Sequence, residues 1–588
     1  MSDVVIDAAA FFKRVSVVQK KLTAEKNFSS LLFLLGTRDD EATYKKLTVL
    51  QLWLLGYEFA HTAIYIDQEK CVIITSEGKG KHLKPLVTQT SGVKFEVWTR
   101  TKDQDHNKSL FDKLGAELQK ATPERPVGII TKDQFKGKFI EEWTEVAKPL
   151  NLSTADAALF VSESMALKDA DEYRATLMAS KASVVMMDTF ANEMMELVDN
   201  ETKTTNVDIS DKLDKKIDSN RWYTKSALGK KNLQLNKEFD PELVDWCYSP
   251  IVQSGGEYDL RPSALSTEKR FVGDGTIISS LGLRYKNYCS NIARTFMIDP
   301  SPGMEANYDI LLELQDHIAT TLLRDGKSAK EVYEGAIKYI ESKNPDLVAS
   351  FTKNAGWLTG IEFRDSTLIL NQKIERKLVT GQIISLTIGF NNLTNELASD
   401  PKLKNYALLL TDTYKVGENE AIALTNYQKA RKEVTFYFKE DNKLSKPKSE
   451  NGDRKLKSEK DSTIEKKLAI NDGNSKILKS KLRNEGAAAD DVNAEKLRQD
   501  TQRILHERRE QEGLARFSKA DATDDSELRP IFKKYESYVR ESQIPNNVKD
   551  LKIHIDYKSH TIILPICGRP VPFHINSFKN GSQNEEGD

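Results

Sequence analysis

The sequence has few cysteines and no cysteine pattern. Cys71, Cys247, Cys289 and Cys567 are the only four in 588 residues, and no two of them form a CxxC pair. Isolated cysteines argue against a disulfide framework and against a structural zinc site, and they are typical of a reducing compartment. We therefore expect a protein of the cytosol or nucleus.

A charge excess, a signal peptide and a membrane span are absent as well. The 87 basic and 88 acidic residues leave a net charge of −1, so any contact with nucleic acid has to be local. Residues 1–14 lack a basic region followed by an apolar run, and the most apolar stretch, 50–57, is too short to cross a bilayer. With 39% hydrophobic and 30% charged residues, the chain is predicted to be soluble, with several cores and no membrane contact.

Residues 1–165 are predicted to form an α/β lobe with a mixed sheet, because helical and strand patterns alternate. The predicted strands are 30–35, 62–66, 72–75, 94–98 and 127–131, and the predicted helices are 6–22, 42–54 and 108–119. The segment 77–82 (EGKGKH) is not a phosphate loop, because Thr75 stands where a glycine is needed and His82 where Ser or Thr would bind magnesium. We interpret it as the start of a helix with a solvated basic face.

Residues 166–440 are predicted to form a second, α+β lobe. Two helices, at 168–197 and 206–217, precede a set of strands, and the same order then repeats, which suggests an internal structural duplication. The later helices are predicted at 304–323 and 329–342, and the strands at 247–252, 275–283, 288–298, 361–369, 383–390 and 406–416.

The composition changes in the last part of the chain. Residues 441–476 are rich in Ser and Lys without apolar periodicity, which predicts a disordered linker. A solvated tether is the simpler interpretation of its basic character, with an import signal or a DNA contact as alternatives. Residues 477–525 are predicted to form a charged helical segment that lies along a partner or another domain.

Residues 526–588 are predicted to begin a small β domain. The runs 551–557 and 561–566 indicate a hairpin, and 571–575 a third strand. Two or three strands are marginally stable alone. We therefore expect an incomplete domain, either truncated or completed by a partner.

The stretch 277–298 carries most of the functional information. It is a predicted β-hairpin with a tight turn at 285–288, and it resembles the hairpin of the pita-bread fold of methionine aminopeptidase, proline aminopeptidase and creatinase. The matching residues are Gly282, Tyr288, Arg294, Thr295 and Phe296. In that family five residues bind the metal ions, and the corresponding positions here are occupied by Ser280, Asn291, Trp357, Thr387 and Thr411.

These five residues, here called the vestigial site, predict the loss of metal and of catalysis. Two divalent cations need carboxylates to offset their charge, whereas Ser, Asn, Thr and Trp are neutral. His317, in a predicted helix, is the single histidine between residues 166 and 440. We predict that the chain is not an enzyme and holds neither a metal nor another cofactor.

A concave sheet face that once held a substrate peptide can still bind one. Arg284, Arg294, Glu362 and Arg364 are the candidate residues for this peptide- or histone-binding cleft. Arg364 stands at the position of the family's substrate-handling histidine. Arg294 has an equally good alternative explanation, an ion pair that closes the hairpin.

A longer set of motifs resembles the large subunit of the FACT histone chaperone, of fungal type. The motifs are YSPIVQSG at 248–255, YCSNIARTF at 288–296, GIEFRD at 360–365, FNNL at 390–393, YESYVR at 535–540 and IILPICGRPVPFHIN at 562–576. The resemblance implies a non-catalytic subunit of the nucleus and chromosomes. Its partners would be core histones and nucleosomes, which it would reorganise during transcription, replication and repair.

The same resemblance assigns the end of the chain. It implies that 526–588 begins a pleckstrin-homology-like domain that pairs with the smaller FACT subunit. It also implies that the chain is truncated, without the rest of the middle domain and the acidic tail of that family.

Two other functions are compatible with the pattern. One is a hydrolase of the creatinase or aminopeptidase type, which is disfavoured because the metal ligands are missing and because only an arginine, Arg261, stands near the family's substrate histidine. The other is a peptide-binding adaptor unrelated to chromatin. Metal content with turnover would identify the first, and equal retention of histones and unrelated basic proteins the second.

Overall fold

The computed structural model describes residues 5–37, 44–89, 92–121, 125–219, 221–224, 226–234, 239–438, 538, 553–557, 559–566 and 569–575. They belong to two compact units, Met1–Gly452 and Asp453–Asp588. The predicted linker 441–476 and the charged segment 477–525 lie outside the described residues. Within the described residues, no helix has both the length and the apolar character that a membrane crossing requires.

The first lobe is an α/β layer structure around a mixed six-stranded sheet, as predicted. Its elements are α1 (Ala8–Glu25), β1 (Ser30–Leu35), α2 (Lys46–Leu55), β2 (Thr62–Ile66), β3 (Lys70–Ser76), α3 (Glu77–Val87), β4 (Lys94–Arg100), α4 (Gln104–Ala121), β5 (Val127–Ile129), α5 (Lys138–Ala147), β6 (Thr154–Asp156) and α6 (Ala158–Ala166). The strand order is β4-β3-β2-β1-β5-β6, with β3–β4, β1–β5 and β5–β6 parallel. Successive strand residues such as Val72 and Ile73 enter different cores, because strand side chains alternate between the two faces.

The second lobe is built on a nine-stranded sheet. Its elements are α7 (Ala170–Asp199), α8 (Asn206–Asp214), α9 (Ala227–Gly229), β7 (Val244–Trp246), β8 (Ile251–Ser254), β9 (Gly275–Leu281), β10 (Leu283–Tyr285), β11 (Tyr288–Cys289), β12 (Ile292–Ile298), α10 (Pro302–His317), α11 (Ala329–Lys343), β13 (Gly356–Leu358), β14 (Asp365–Ile369), β15 (Ile383–Thr394), α12 (Pro401–Lys404), β16 (Asn405–Lys415), β17 (Ile422–Ala423), α13 (Arg431–Val434) and β18 (Thr435–Phe436). The main order is β14-β13-β15-β16-β12-β9-β8, and β11-β10-β7 form a separate small sheet.

The predicted hairpin is present and its turn is well defined. Tyr285 pairs with Tyr288, and the two residues between them, Lys286 and Asn287, have φ angles of 49° and 69°. Two successive positive φ angles match the twist of antiparallel strands in a tight hairpin. Gly282 interrupts the first strand, and a Cβ there would lie 2.5 Å from the Ser290 carbonyl oxygen. Only glycine therefore fits where the hairpin bends from the nine-stranded sheet into the small one.

Several predicted boundaries were wrong. The strand predicted at 247–252 begins only at Ile251, in β8, and the strand before it, β7, ends at Trp246. Pro250, which has no N–H for a sheet hydrogen bond, directly precedes β8. The strand predicted at 361–369 begins only at Asp365, since 361–364 form a bend. The helix predicted from 42 begins at Lys46 in the described residues, and α5, β6 and α6 were not predicted.

The described part of the second unit is a three-stranded antiparallel sheet. Its strands are β19 (His554–Asp556), β20 (Thr561–Ile566) and β21 (Arg569–His574), in the order β19-β20-β21. This arrangement confirms the predicted hairpin and third strand. The assignment to a pleckstrin-homology-like domain stays a prediction.

Candidate functional site

The vestigial site lies on one face of the nine-stranded sheet. Cross-strand pairing aligns Ser280 with Ala293, Ala293 with Thr411, and Thr411 with Thr387. Since directly paired residues project to the same face, the three hydroxyl side chains form one row. Asn291, just before β12, and Trp357, on β13, complete the group.

A cavity of about 20 Å³, partly open to solvent, lies over this row. Four of the five predicted positions line it, namely Ser280, Asn291, Trp357 and Thr387. Thr411 lies between Thr387 and Ala293 in the sheet, is 1% exposed and does not line the cavity. The structure therefore brings together positions that lie more than a hundred residues apart in the sequence.

A tyrosine hydroxyl joins the two hairpin positions of the site. Tyr248 Oη donates to Asn291 Oδ1 at 2.6 Å, so the 2.8 Å contact with Ser280 Oγ has the serine as donor. Burial raises the pKa of Tyr248 well above its ordinary value, and the phenol stays neutral. The sequence contained Tyr248 in a quoted motif, but its role was not predicted, because its partners lie far along the chain.

The other polar groups are satisfied within the protein. Asn291 Nδ2 donates to Ser385 Oγ at 3.1 Å, and Trp357 Nε1 donates to the Phe363 carbonyl at 2.9 Å. The donor set of hydroxyls, one amide and one indole lacks the carboxylates that a pair of divalent cations requires, so it does not fit the metal ions of the peptidase fold. Across the described ranges, no cluster of three or more His, Cys, Asp or Glu residues could hold a metal ion.

Arg294 was wrongly assigned to the cleft. Its side chain is completely buried, and Nη2 lies 2.9 Å from Asp412 Oδ1. The guanidinium also donates, at 2.8–3.0 Å, to the backbone carbonyls of Ala293, Thr411, Tyr427 and Gln428. It cannot contact a bound peptide. Arg294 does form a structural ion pair, but with Asp412 on β16 rather than across the hairpin.

Arg284 and Glu362 also lie away from the cavity. Arg284 is on the small sheet, where it pairs with Asp245 and stacks 6.0 Å from the Tyr44 ring centroid. Glu362 points towards the first lobe and pairs with Lys46. The physical reason for the second error is the bend at 361–364, in which side chains do not alternate as they do in a strand.

Arg364 is the one predicted charged residue beside the cavity. It is exposed, and its guanidinium carbon lies 5.4 Å from the Trp357 ring centroid. This is a cation–π distance. Arg364 therefore covers the outer face of Trp357 without lining the cavity.

A second site, not predicted, lies between the lobes. We call Lys46, Ser162, Glu362 and Asp365 the interlobe charged cluster. Lys46 Nζ lies 3.1 Å from Asp365 Oδ2 and also pairs with Glu362, and Ser162 Oγ donates to Asp365. Lys46 is buried in α2, and a lysine at the start of a largely apolar helix was the signal available in the sequence.

The cluster borders a small cavity of about 20 Å³. Burial, and then the neighbouring charge of Asp365, raise the pKa of Glu362 to about 7. Burial alone would also raise the pKa of Asp365, but Lys46 and the hydroxyl of Ser162 hold it below the ordinary value. Lys46 lowers the pKa of both carboxyl groups, but only the pKa of Asp365 falls below its ordinary value.

Models of known families match three parts of the chain. The FACT complex subunit SPT16 N-terminal lobe domain matches residues 6–160, metallopeptidase family M24 matches 178–434, and the FACT complex subunit (SPT16/CDC68) model matches 553–588.

Named relatives agree with these matches. The chain is 64% identical over 593 residues to the FACT complex subunit SPT16 of Debaryomyces hansenii and 45% identical over 609 residues to that of Saccharomyces cerevisiae. Both alignments cover 100% of this chain, which spans 57% of the length of each relative.

Solved structures give the same result. The N-terminal domain of FACT complex subunit SPT16 from Eremothecium gossypii superposes with a TM-score of 0.69 at 41% identity, over 74% of this chain and 100% of that one. A prolidase from Thermococcus sibiricus, at 16% identity and a TM-score of 0.50 over 72% of this chain and 98% of that one, shares the fold. The peptidase likeness therefore concerns architecture.

Proposed function

This chain belongs to the FACT complex subunit SPT16 family, and from that premise we propose that it is the N-terminal part of a non-catalytic histone chaperone subunit. In this proposal it acts in the nucleus, on chromosomes, and helps to reorganise nucleosomes during transcription, replication and repair. The peptidase-like lobe serves as a histone- or peptide-binding module.

The observation that carries the non-catalytic assignment is the hydrogen-bonded group of Tyr248, Ser280 and Asn291. A neutral phenol links two positions at which the peptidase chemistry needs ionised ligands. Without a bound cation, no metal-bound hydroxide forms to attack a peptide bond. What the fold retains is a concave, partly apolar surface, which suits binding.

The second unit supports a role in assembly. Its described part is a three-stranded sheet in which Ile555 and Ile566 are 45% and 43% exposed. Exposed apolar side chains on a sheet are typical of a surface that packs against a partner. We propose that 526–588, with the sequence that follows in longer relatives, pairs with the smaller FACT subunit.

Retention of core histones by the immobilised chain tests the binding proposal. We expect histones to be retained at an ionic strength at which an unrelated basic protein, cytochrome c, is washed off. Equal retention of both would favour a generic basic-protein adaptor and contradict the histone assignment.

A hydrolase assay tests the non-catalytic assignment separately. We expect no turnover of Xaa-Pro dipeptides in the presence of Mn²⁺, Co²⁺ or Zn²⁺, and no stoichiometric metal by elemental analysis. Turnover that depends on tightly bound metal would refute it.

A further inference from the structure

An exposed threonine of the first lobe lies against the N-terminus of a helix. Thr37 stands two residues after β1, and its N–H donates to the Lys136 carbonyl at 3.0 Å. Gly137, the N-cap of α5, has a φ of 107°, and a Cβ there would lie 2.5 Å from Thr37 Oγ1. The threonine hydroxyl therefore occupies the place at which a capping side chain would stand.

The N-terminus of α5 favours a negative group at that hydroxyl. The helix has ten residues, and its N-cap glycine makes no side-chain capping bond. The first N–H groups of a helix have no partner within the helix, and together with the helix dipole they attract anions. Many helices end in this way, so the side chains around Thr37 decide whether an anion is expected here.

Cationic side chains lie beside the same hydroxyl. His61 Nε2 lies 3.3 Å from Thr37 Oγ1, and Lys79 donates to the carbonyl of Ala60, the residue before His61. The pKa of His61 lies below its ordinary value because of burial and because of the positive charges of Lys79 and Arg100. Both charges therefore act at the position of the imidazole that contacts Thr37.

Arg100 brings its charge to the same helix end. Its guanidinium carbon lies 4.8 Å from the ring centroid of Phe139, in the first turn of α5, and the His61 ring lies 6.5 Å from the same ring. Nη2 of Arg100 pairs with Glu142, whose Oε1 also lies 3.9 Å from Lys138 Nζ. Nε is buried and has no hydrogen-bond partner among the described residues. One carboxylate is thus shared by two cations, which leaves positive charge beside the helix end.

The sequence after Thr37 is typical of a phosphorylation site. Asp39, Asp40 and Glu41 stand two to four positions further on. Protein kinases select their substrates partly by the charge pattern around the target hydroxyl, and one class of them requires acidic residues on this side. The sequence thus suits such an enzyme, and the structure supplies a place for its product.

We propose that Thr37 is a phosphorylation site for an acid-directed protein kinase, and that His61, Lys79 and the N-terminus of α5 bind the phosphate. Thr37 Oγ1 attacks the γ-phosphorus of ATP and forms the new O–P bond, the bond to the leaving ADP oxygen breaks, and the hydroxyl proton passes to the base of the kinase. The phosphate carries a charge of about −1.5 to −2 at pH 7 and gains charge-assisted hydrogen bonds at the helix end. The modification ties the end of β1 to α5, and it goes beyond the histone-binding function proposed above.

Phosphorylation in vitro tests the site. The complete 588-residue chain is incubated with ATP and an acid-directed serine/threonine kinase, and mass spectrometry locates the phosphopeptides. We expect phosphate at residue 37, and we expect Thr37→Val to lose that phosphopeptide while phosphorylation elsewhere in the chain is unchanged. A chain that stays unmodified at residue 37 would overturn the proposal.

Phosphorus NMR tests the residues that bind the phosphate. The resonance of residue 37 is the one that Thr37→Val lacks. The second pKa of a phosphomonoester is about 6, and neighbouring cations lower it, so we expect this phosphate to titrate at roughly pH 5. His61→Asn and Lys79→Gln should each move the phosphate pKa back towards 6. Asn is chosen because it tolerates the positive φ of 53° at residue 61.

A control variant separates a local effect from a general change of charge. Lys330→Gln removes the same charge as Lys79→Gln, but from an exposed pair with Glu375 in the second lobe, and it should leave the phosphate pKa unchanged. An ordinary phosphate pKa in the phosphorylated wild type, or equal effects of Lys79→Gln and Lys330→Gln, would overturn the assignment of the phosphate to this helix end.

Discussion

Two small cavities of about 20 Å³ each differ in the charge of the residues around them. The vestigial site is lined by neutral groups joined through the Tyr248 hydroxyl. The interlobe charged cluster keeps a buried lysine between two carboxylates. In both places, each charged side chain has an oppositely charged side chain of the same protein beside it.

The difference gives a physical reason for Ser and Asn at positions that hold metal ligands in the peptidase fold. Clustered carboxylates without a cation would repel each other and take up protons. A buried charge is tolerated where a fixed partner faces it, as at Arg294 and Asp412, next to the vestigial site. Replacement of the ligands by neutral residues avoids this repulsion.

Removal of one member of a buried ion pair should give the largest loss of stability among these variants. Arg294→Met leaves Asp412 buried without its cation and is expected to lower the free energy of unfolding by about 4 kcal/mol. Denaturant unfolding followed by tryptophan fluorescence measures it, because all six tryptophans lie within residues 1–452. Arg284→Met, at the half-exposed pair with Asp245, is the control, with a change below about 1 kcal/mol. Equal losses would refute the argument.

Charge put back into the vestigial site should also destabilise the fold. Ser280→Asp combined with Asn291→Asp places two carboxylates around Tyr248 and should cost about 3 kcal/mol at neutral pH without metal. We expect Mn²⁺ not to restore the melting temperature, since Trp357 and Thr387 supply no anionic ligand. A rise on adding metal would show that two carboxylates suffice.

The interlobe charged cluster should make stability depend on pH. Because the pKa of Glu362 is raised from 4.5 to about 7, the folded state holds a proton that the unfolded state has released between these values, and stability falls as pH rises through this window. Glu362→Gln should remove this fall and be more stable at pH 8, by roughly 2 kcal/mol.

Urea unfolding of Glu362→Gln from pH 4.5 to 8 measures the effect. Glu375→Gln, at an exposed pair with Lys330, should keep the wild-type profile. A Glu362→Gln profile parallel to that of the wild type would show that Glu362 does not titrate in this window.

The smallest loss of stability is expected when the Tyr248 hydroxyl, which links Ser280 and Asn291, is removed. Tyr248→Phe removes one partner each from Ser280 and Asn291 and should destabilise the chain by about 1–2 kcal/mol. Thermal unfolding of the variant beside the wild type measures it. No change would indicate that water replaces the phenol oxygen without loss.

The sequence predicted local features well and long-range ones poorly. The turn at Lys286 and Asn287 was predicted because aromatic and β-branched residues flank it directly, and the same motif led to the loss of metal ligands. The hydrogen bond between Tyr248 and Asn291 joins residues 43 apart, and that between Lys46 and Glu362 residues 316 apart. No local pattern encodes such contacts, since the fold alone determines them.

The order of strands in the nine-stranded sheet also delays the pairing of some strands while the chain is being synthesised. Strands β8, β9 and β12 are complete early, but the partner of β12 on its other side, β16, comes much later in the chain. The Thr295 hydroxyl bonds to the Leu409 carbonyl, 114 residues further on. At about 5–20 residues per second, the edge of β12 waits roughly 6–23 s for its neighbour on the ribosome. During that interval the strand is open to pairing with other nascent chains.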